Sequence, residues 1–264
     1  MNASAASGSA RIDWRGRTLD LEYCWVGAAA STQPVVVFLH EGLGSVSMWR
    51  DFPARLCHEH GLRGLVFSRY GYGRSTPKPA DEAWAADFMH AQAREVLPAL
   101  FAALGIERPW LFGHSDGASI ALLYASTHPA AGLIVVAPHI FVEDISVASI
   151  AKARAAYAST DLRERLARHH DDPDSAFRGW SDAWLSPAFR AWNIEAELTT
   201  IDCPILAVQG EDDEYGTLEQ VRGIARRLPK TRLLVLPKCG HSPHRDEPDL
   251  LIREAGRFIL EHAT

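Results

Sequence analysis

The chain has 264 residues, of which 47% are hydrophobic and 23% are charged, and its formal net charge is −6. A folded chain of this length buries roughly three-quarters of its unfolded surface, so one domain with an insertion forms a sizeable core without covalent staples. The mildly acidic balance, with no cluster of Lys and Arg, argues against a nucleic-acid partner, which requires a basic surface.

The N-terminal segment and the cysteines indicate the cellular compartment of the protein. Residues 1–10 are small and polar, lack basic residues and predict a disordered tail rather than a signal peptide or membrane anchor. The cysteines are scattered singly, without Cys-x-x-Cys spacing, which is typical of reduced thiols. We therefore expect a cytoplasmic protein that has no membrane partner.

The first half of the chain alternates predicted strands with predicted helices. Short apolar runs indicate strands, and apolar residues at helical spacing indicate helices. In chain order the pattern predicts a strand pair over 11–26, a strand over 34–39, a helix over 48–60, a strand over 64–68, a helix over 84–104, a strand beginning near Trp110, a helix over 118–127 and a strand over 133–137. Such alternation requires a mostly parallel sheet covered on both faces, with ligand sites at the carboxyl ends of the strands.

The alternation stops between Pro138 and Cys203. This segment predicts four helices, over 144–158, 161–170, 173–184 and 187–198, before strands resume over 204–210 and 232–237. A helical insertion there would cover the strand ends, exclude water and shape a pocket. Aromatic residues crowd half of it, and Trp180 and Trp184 are candidate substrate contacts, although helix-spaced aromatics more often pack in a core. We predict a core over 11–138 and 201–264, with a cap over 139–200.

A sharp strand-to-helix turn is predicted at Gly113-His114-Ser115-Asp116-Gly117. A serine at the tip of such a turn takes a strained backbone conformation, and glycine at the flanking positions lets strand and helix pack closely. The pattern therefore predicts Ser115 as a nucleophile. His114, beside it, is a candidate substrate contact.

The two partners that a nucleophilic serine needs follow in the order acid, then histidine, each after a predicted strand. Acidic residues 211–214 follow the strand over 204–210, and His241 lies on the loop after the strand over 232–237. His244 lies in the same loop, but the Gly-His-Ser-Pro signature favours His241 as the base.

The closely spaced pairs His58/His60 and His169/His170 do not match a zinc motif and predict a solvated helix surface, so we expect no metal.

A glycine-rich turn, His40-Glu41-Gly42-Leu43-Gly44, follows the strand over 34–39. Acyl transfer requires preorganised N–H donors for the oxyanion, commonly one from this turn and one from the residue after the nucleophile. We assign the Gly42 and Asp116 amides, with Leu43 as the alternative to Gly42. Glu41 and Leu43 are also candidate substrate contacts.

These motifs resemble those of the α/β-hydrolase superfamily that contains esterases and meta-cleavage-product hydrolases, and the likeness extends from Arg11 onward. Residues 68–75 resemble the family's glycine-rich turn, with Ser68 in place of the usual Asp. Residues 210–213 resemble the family's Gly-x-x-Asp motif. This implies that Asp213 is the acid of a catalytic triad with Ser115 and His241, with Asp212 as the alternative. The resemblance implies an α/β fold with a mostly parallel eight-stranded sheet, helices on both faces and a helical cap after the sixth strand.

The resemblance also implies a reaction. We expect a serine hydrolase that cleaves an ester or thioester of a small, largely apolar molecule, without a cofactor. One alternative is a C–C bond hydrolase of the meta-cleavage type, which typically carries Trp where this chain has Ser242. Another is a ligand receptor on the same fold. The oligomeric state is not predicted.

The side chain of Asp116 permits two interpretations. A carboxylate in the first turn of a helix interacts favourably with the helix dipole, which would make Asp116 a helix-start residue. The Ser-Asp-Gly sequence of the strand-to-helix turn also resembles that of valacyclovir-hydrolase-type α-amino-ester hydrolases. This resemblance implies that Asp116 could receive a cationic group of the substrate. Both interpretations stay open at this point.

Overall fold

The computed structural model describes residues 6–29, 34–79 and 81–262. Within them, eight strands form one sheet in the order β1-β2-β4-β3-β5-β6-β7-β8. The β1-β2 and β2-β4 pairs are antiparallel, and the other neighbours are parallel. The predicted α/β fold with a mostly parallel eight-stranded sheet is therefore confirmed. The strands are β1 (Ser7–Trp14), β2 (Arg17–Gly27), β3 (Val36–Leu39), β4 (Arg63–Phe67), β5 (Trp110–His114), β6 (Gly132–Val136), β7 (Ile205–Gly210) and β8 (Arg232–Leu236).

Helices cover both faces of the sheet. A π-helical turn over Gln92–Val96 joins α2 to α3, and short 3₁₀ turns lie at Val46–Trp49, Phe189–Ala191 and Glu197–Thr200. Within the described residues, no helix is both long and apolar enough to cross a membrane. The α-helices are α1 (Phe52–Glu59), α2 (Phe88–Ala91), α3 (Leu97–Leu104), α4 (Asp116–Ala125), α5 (Asp144–Ser159), α6 (Leu162–Leu166), α7 (Pro173–Leu185), α8 (Glu219–Arg227), α9 (Pro243–Asp246) and α10 (Pro248–Glu261).

The sheet separates two apolar cores. Every residue of β3, β5, β6 and β7 is buried, because central parallel strands are covered on both faces and so carry continuous apolar runs. One core contains α4 together with residues of α3 and α7. The other contains residues of α1 and α10. Because β3, β5, β6, β7 and β8 pair in parallel, their carboxyl ends lie at one edge of the sheet.

The N-terminal prediction is wrong in part. Residues 7–10 are not a disordered tail but the first half of β1, where Ser7 pairs with Cys24 and Ala10 pairs with Leu21. The small residues there complete an edge strand, and Ala10 is buried against the sheet. Residues 1–5 of the predicted tail lie outside the described residues.

The segment between β6 and β7 contains α5, α6 and α7, in the position where a cap is predicted. The predicted helix over 187–198 does not form, and two 3₁₀ turns replace it. Between them, the Asn193 side-chain oxygen accepts a hydrogen bond from the Glu195 amide at 2.8 Å, so it competes with helical bonding. The division into a core and a cap over 139–200 stays a prediction.

Candidate active site

Ser115 lies at a tight turn between β5 and α4. Its backbone adopts φ 53° and ψ −120°, a conformation that L-residues rarely take. Glycines make the turn possible: a Cβ on Gly113 would lie 2.4 Å from the Gly117 carbonyl oxygen, and a Cβ on Gly117 would lie 2.1 Å from the Leu39 carbonyl oxygen. The turn therefore holds the Ser115 side chain above the carboxyl edge of the sheet.

The structure brings together the three residues that the sequence predicts as a triad. His241 Nε2 lies 3.0 Å from Ser115 Oγ. On the other side of the ring, His241 Nδ1 lies 2.8 Å from Asp213 Oδ1 and 3.0 Å from Asp213 Oδ2. Ser115 directly follows β5, while Asp213 and His241 lie in the loops after β7 and β8, so the sheet brings the three segments to one edge. The arrangement allows a proton to move from the serine to the imidazole.

Asp213 is held by donors other than His241. Its Oδ2 accepts a hydrogen bond from Gln209 Nε2 at 2.9 Å, and its Oδ1 accepts one from the Tyr215 amide at 2.8 Å. Burial alone would raise the pKa of Asp213, but hydrogen bonding to His241 and to the Tyr215 amide lowers it overall. Asp212 is exposed instead. The carboxylate facing His241 is thus charged and fixed.

The proposed oxyanion donors at this edge are backbone amides, and the Leu43 amide, the predicted alternative to Gly42, also donates to no protein acceptor among the described residues. Among the residues that the structure describes, neither the Gly42 amide nor the Asp116 amide donates to a protein acceptor. The indole of Trp180 packs directly on the turn, because a Cβ on Gly42 would lie 2.1 Å from Trp180 Nε1. Free N–H groups at the start of a helix and in a glycine turn are suited to hold a developing negative charge.

The Asp116 side chain is buried beside a cation. Its Oδ1 accepts a hydrogen bond from Trp184 Nε1 at 3.1 Å, and its Oδ2 lies 3.8 Å from Arg69 Nη2. Asp116 and Arg69 are each only 1% exposed. Burial raises the pKa of Asp116, while the nearby Arg69 opposes that effect. The negative charge of Asp116 therefore already faces an arginine within the protein.

The other predicted contact residues surround the same edge. His114 is buried, and its Nε2 donates to the His241 carbonyl oxygen at 2.7 Å, which favours a supporting role over substrate contact. The Glu41 carboxylate lies 3.5 Å from His114 Nδ1 and 3.6 Å from Arg245. Leu43 is half-buried in the glycine turn. The substrate-binding roles of these residues, and of Trp180 and Trp184, stay predictions.

One histidine, His170, does not lie where the sequence predicts. His170 is not on a solvated helix surface: it is buried, its Nδ1 accepts from the Gly73 amide at 2.9 Å, and its Nε2 donates to the Leu43 carbonyl oxygen at 2.9 Å. It therefore ties the segment before α7 to the glycine turn. Over the described residues, no group of three or more His, Cys, Asp or Glu side chains could hold a metal ion.

Acid should destabilise the fold, because several histidines are buried in the neutral form. Burial lowers the pKa of His139 to about 4 and also lowers the pKa values of His40, His170 and His244. In the unfolded chain a histidine takes up its proton near pH 6.5, so folded-state stability is complete above that pH and is lost as the pH falls toward the folded pKa. We expect the free energy of unfolding to fall by about 3 kcal/mol or more from about pH 7 to about pH 4.5, measured by urea denaturation.

A matched pair of variants checks the cause. His244 is buried among the rings of Trp49, Phe52 and His114, so His244→Phe should reduce the pH dependence of stability. His58 is exposed, so His58→Gln should leave the dependence unchanged. Equal slopes in all three proteins would mean that buried histidines are not responsible.

Comparison with known proteins places this geometry in context. The model of the alpha/beta hydrolase family matches residues 36–254. RutD of Pseudomonas savastanoi, named as a candidate carbamate hydrolase, is 28% identical over 239 residues, which cover 81% of this chain and 89% of that protein. The crystal structure of an enol-lactonase from Burkholderia xenovorans matches with a TM-score of 0.73 at 21% identity, over 96% of this chain and 100% of that one. A thermophilic esterase from Thermogutta terrifontis gives a TM-score of 0.72 at 20% identity, over 98% and 100%. The structural matches show a shared fold, and the family match spans Ser115, Asp213 and His241.

Proposed function

This chain belongs to the alpha/beta hydrolase family, and we propose that it is a serine hydrolase that cleaves an ester or thioester of a small, largely apolar molecule. The observation that carries the proposal is the hydrogen-bonded series from Ser115 through His241 to Asp213, with contacts of 3.0 Å and 2.8 Å. Each member has the chemistry that its position requires. A hydroxyl lies against an imidazole, and the imidazole lies against a buried carboxylate.

In the first half-reaction, Ser115 Oγ attacks the acyl carbon while His241 Nε2 accepts the hydroxyl proton. Asp213 holds the proton of the neutral imidazole on Nδ1 and stabilises the imidazolium that forms. The carbonyl oxygen becomes an oxyanion, which the Gly42 and Asp116 amides receive. Collapse of this intermediate breaks the bond to the leaving oxygen or sulfur, which takes the proton from His241.

In the second half-reaction, water hydrolyses the acyl-enzyme. The water oxygen attacks the acyl carbon while His241 accepts a proton from that water. The Gly42 and Asp116 amides hold the second oxyanion. The bond to Ser115 Oγ then breaks, the serine recovers its proton from His241, and the carboxylic acid leaves. The cycle consumes one water, and all of its proton transfers use groups of this chain.

The surroundings of Asp116 support a neutral acyl group. The buried indoles of Trp180 and Trp184 pack beside Gly42 and Asp116, so aromatic groups surround these two residues. The Asp116 charge is balanced by Arg69 at 3.8 Å, so a substrate ammonium would approach an existing positive charge. We therefore favour the helix-start interpretation of Asp116 over the recognition of an α-amino group.

A matched pair of substrates tests this choice. We expect kcat/KM for p-nitrophenyl butyrate to exceed that for p-nitrophenyl 2-aminobutyrate by about 10-fold or more, because the amine meets the Arg69 charge. Asp116→Asn should widen the difference, since it leaves Arg69 without its counter-charge. A wild-type preference for the amino ester that disappears in Asp116→Asn would instead support cation recognition by Asp116.

A wider panel tests the reaction class. We expect turnover of neutral aryl esters and the matching thioesters, with none in Ser115→Ala. A vinylogous 1,5-diketone is the substrate class of the C–C bond hydrolases, and faster turnover of such a dienoate would favour that chemistry. Saturable ester binding without turnover would favour a ligand receptor.

A further inference from the structure

A buried arginine joins the two loops that supply the proposed oxyanion donors. Arg69 follows β4 at the same edge of the sheet as Ser115 and is 1% exposed. Its Nη2 donates to the Glu41 carbonyl oxygen at 2.8 Å and lies 3.8 Å from Asp116 Oδ2. One guanidinium therefore contacts both the glycine turn and the residue after the proposed nucleophile.

The Glu41 carbonyl is the anchor of the glycine turn. Its oxygen lies 2.7 Å from His40 Nδ1, and it accepts hydrogen bonds from Arg69 Nη2 at 2.8 Å and from the Gly44 amide at 3.1 Å. The peptide group is planar, so fixing this carbonyl also fixes the direction of the Gly42 N–H on the opposite side of the same peptide. Donors at the carbonyl also polarise that peptide, which strengthens its N–H as a donor.

His40 reinforces the same anchor in one tautomer. The Arg69 amide donates to His40 Nε2 at 3.0 Å, so that nitrogen is unprotonated and the proton lies on Nδ1, facing the Glu41 carbonyl. Burial, together with the Arg69 charge, lowers the pKa of His40 well below its usual value. The histidine thus remains a neutral, oriented donor.

Arg69 also balances a charge in an unfavourable place. The Asp116 carboxylate belongs to the residue whose amide would hold the oxyanion, and an unbalanced negative charge there would oppose the reaction in a low-dielectric site. Arg69 Nη2 at 3.8 Å supplies the opposite charge, and the ring of Tyr72 lies 4.6 Å from the guanidinium carbon. The arginine has no other nearby carboxylate partner among the ion pairs of the described residues.

We propose that Arg69 is a positioning residue for the oxyanion hole, which holds the Glu41 carbonyl so that the Gly42 N–H faces the reacting oxygen and which offsets the charge of Asp116. Arg69 acts through these groups and does not contact the substrate. This inference rests on the proposed serine hydrolase function, and it deepens that function by naming what preorganises its electrostatic stabilisation.

The test uses Arg69→Met, Arg69→Lys, Asp116→Asn and the double variant Arg69→Met with Asp116→Asn. Arg74→Met is the matched control, because Arg74 lies in the same turn but is exposed. For each protein we would measure Tm, kcat and KM with p-nitrophenyl butyrate, and the Kd of an aryl trifluoromethyl ketone, which forms an oxyanion on the enzyme. Hydrogen exchange would report the stability of the turn over 40–46.

In Arg69→Met we expect kcat to fall by about 10²- to 10³-fold with KM changed less than about 3-fold, because the lost interaction acts mainly on the transition state. Affinity for the trifluoromethyl ketone should fall in parallel. Arg69→Lys keeps a charged donor and should recover part of the loss, and Arg74→Met should match wild type. The double variant should stay at least about 10-fold below Asp116→Asn, since the Glu41 carbonyl still lacks its donor.

Three results would overturn the proposal. They are a kcat in Arg69→Met within about 3-fold of wild type, a loss confined to KM with unchanged ketone affinity, or a double variant as active as Asp116→Asn. The last would mean that Arg69 only neutralises Asp116. If Arg69→Met does not fold, the comparison of the double variant with Asp116→Asn tests the proposal, because the double variant buries no unpaired charge at these two positions.

Failure of the proposed function gives a different pattern. A wild type with neither turnover nor ketone binding would reject the serine hydrolase proposal, whatever the variants do. Hydrogen exchange would still test the hold of Arg69 on the turn. Exchange over 40–46 should be at least about 10-fold faster in the double variant than in Asp116→Asn, and equal rates would overturn the positioning role.

Discussion

Replacing Ser115 with alanine is expected to lower kcat by about 10⁴- to 10⁶-fold while leaving Tm close to that of wild type. The variant lacks the hydroxyl that His241 Nε2 meets at 3.0 Å, so no acyl-enzyme can form. His241→Ala should cost a similar factor, because members of such a set act as a unit. Steady-state kinetics with a neutral aryl ester measures both effects.

A fluorophosphonate probe supplies the control for this prediction. The serine oxygen displaces fluoride from the probe to form a phosphonate ester, so wild type should be labelled stoichiometrically at Ser115 and Ser115→Ala should not be labelled. Ser119 serves as a matched comparison, since it lies one helical turn away and its hydroxyl donates to the His139 carbonyl oxygen at 2.6 Å. Labelling at another residue would reject the assignment of the nucleophile.

Replacing Asp213 with asparagine is expected to lower kcat by about 10⁴-fold with little change in KM. The amide of asparagine can donate to His241 Nδ1, where the carboxylate accepts from it at 2.8 Å. That donation places the ring proton on Nε2, and the ring then cannot accept the proton of Ser115. The loss should persist at high pH, because it comes from the wrong tautomer and not from protonation.

Asp212→Asn is the matched control for the acid. The two residues are adjacent in sequence, but Asp212 is exposed while Asp213 is buried against His241. We expect Asp212→Asn to keep kcat within about 2-fold of wild type. If Asp212→Asn abolishes turnover and Asp213→Asn does not, the motif was read one residue out of register.

The proximity of the proposed triad residues was predictable from two features of the sequence. Their residue types match the chemistry, and each of them follows a predicted strand. The pattern around Ser115 demands glycine at 113 and 117, and the structure gives the steric reason in close contacts with backbone oxygens. The strands before Asp213 and His241 are apolar runs, which are readable without any tertiary information. A parallel sheet then brings the ends of those strands together.

The contacts of Arg69 were not predicted from the sequence and the place of His170 was predicted wrongly, and the reason is physical. Their partners near the turn are backbone atoms, the Glu41 carbonyl for Arg69 and the Leu43 carbonyl and Gly73 amide for His170. Every residue has a backbone carbonyl, so a hydrogen bond to a distant carbonyl does not require any particular residue type at that position. The sequence therefore contains no pattern that reveals the bond. A charged residue two positions after the end of a buried strand is a signal that could have identified Arg69.

The edge strand was missed for a different reason. The stretch over 7–10 consists of small residues with weak strand preference, and its pairing with 21–24 supplies the order that composition does not predict. The segment over 187–198 shows the opposite error. Its helical spacing does not lead to a helix, and the Glu195 amide there donates to the Asn193 side chain and not to a helical carbonyl.

The hydrogen bonds from Trp184 to Asp116 and from His170 to Leu43 constrain how this protein can be re-engineered. Exchanging the helical segment over 139–200 for that of a relative is an obvious route to new substrates. A graft without an indole donor at 184 would leave a buried Asp116 oxygen unpaired, and one without an imidazole at 170 would free the glycine turn. Chimeras that retain these two side chains should therefore express and turn over better than those that replace them, even when the new segment is otherwise compatible.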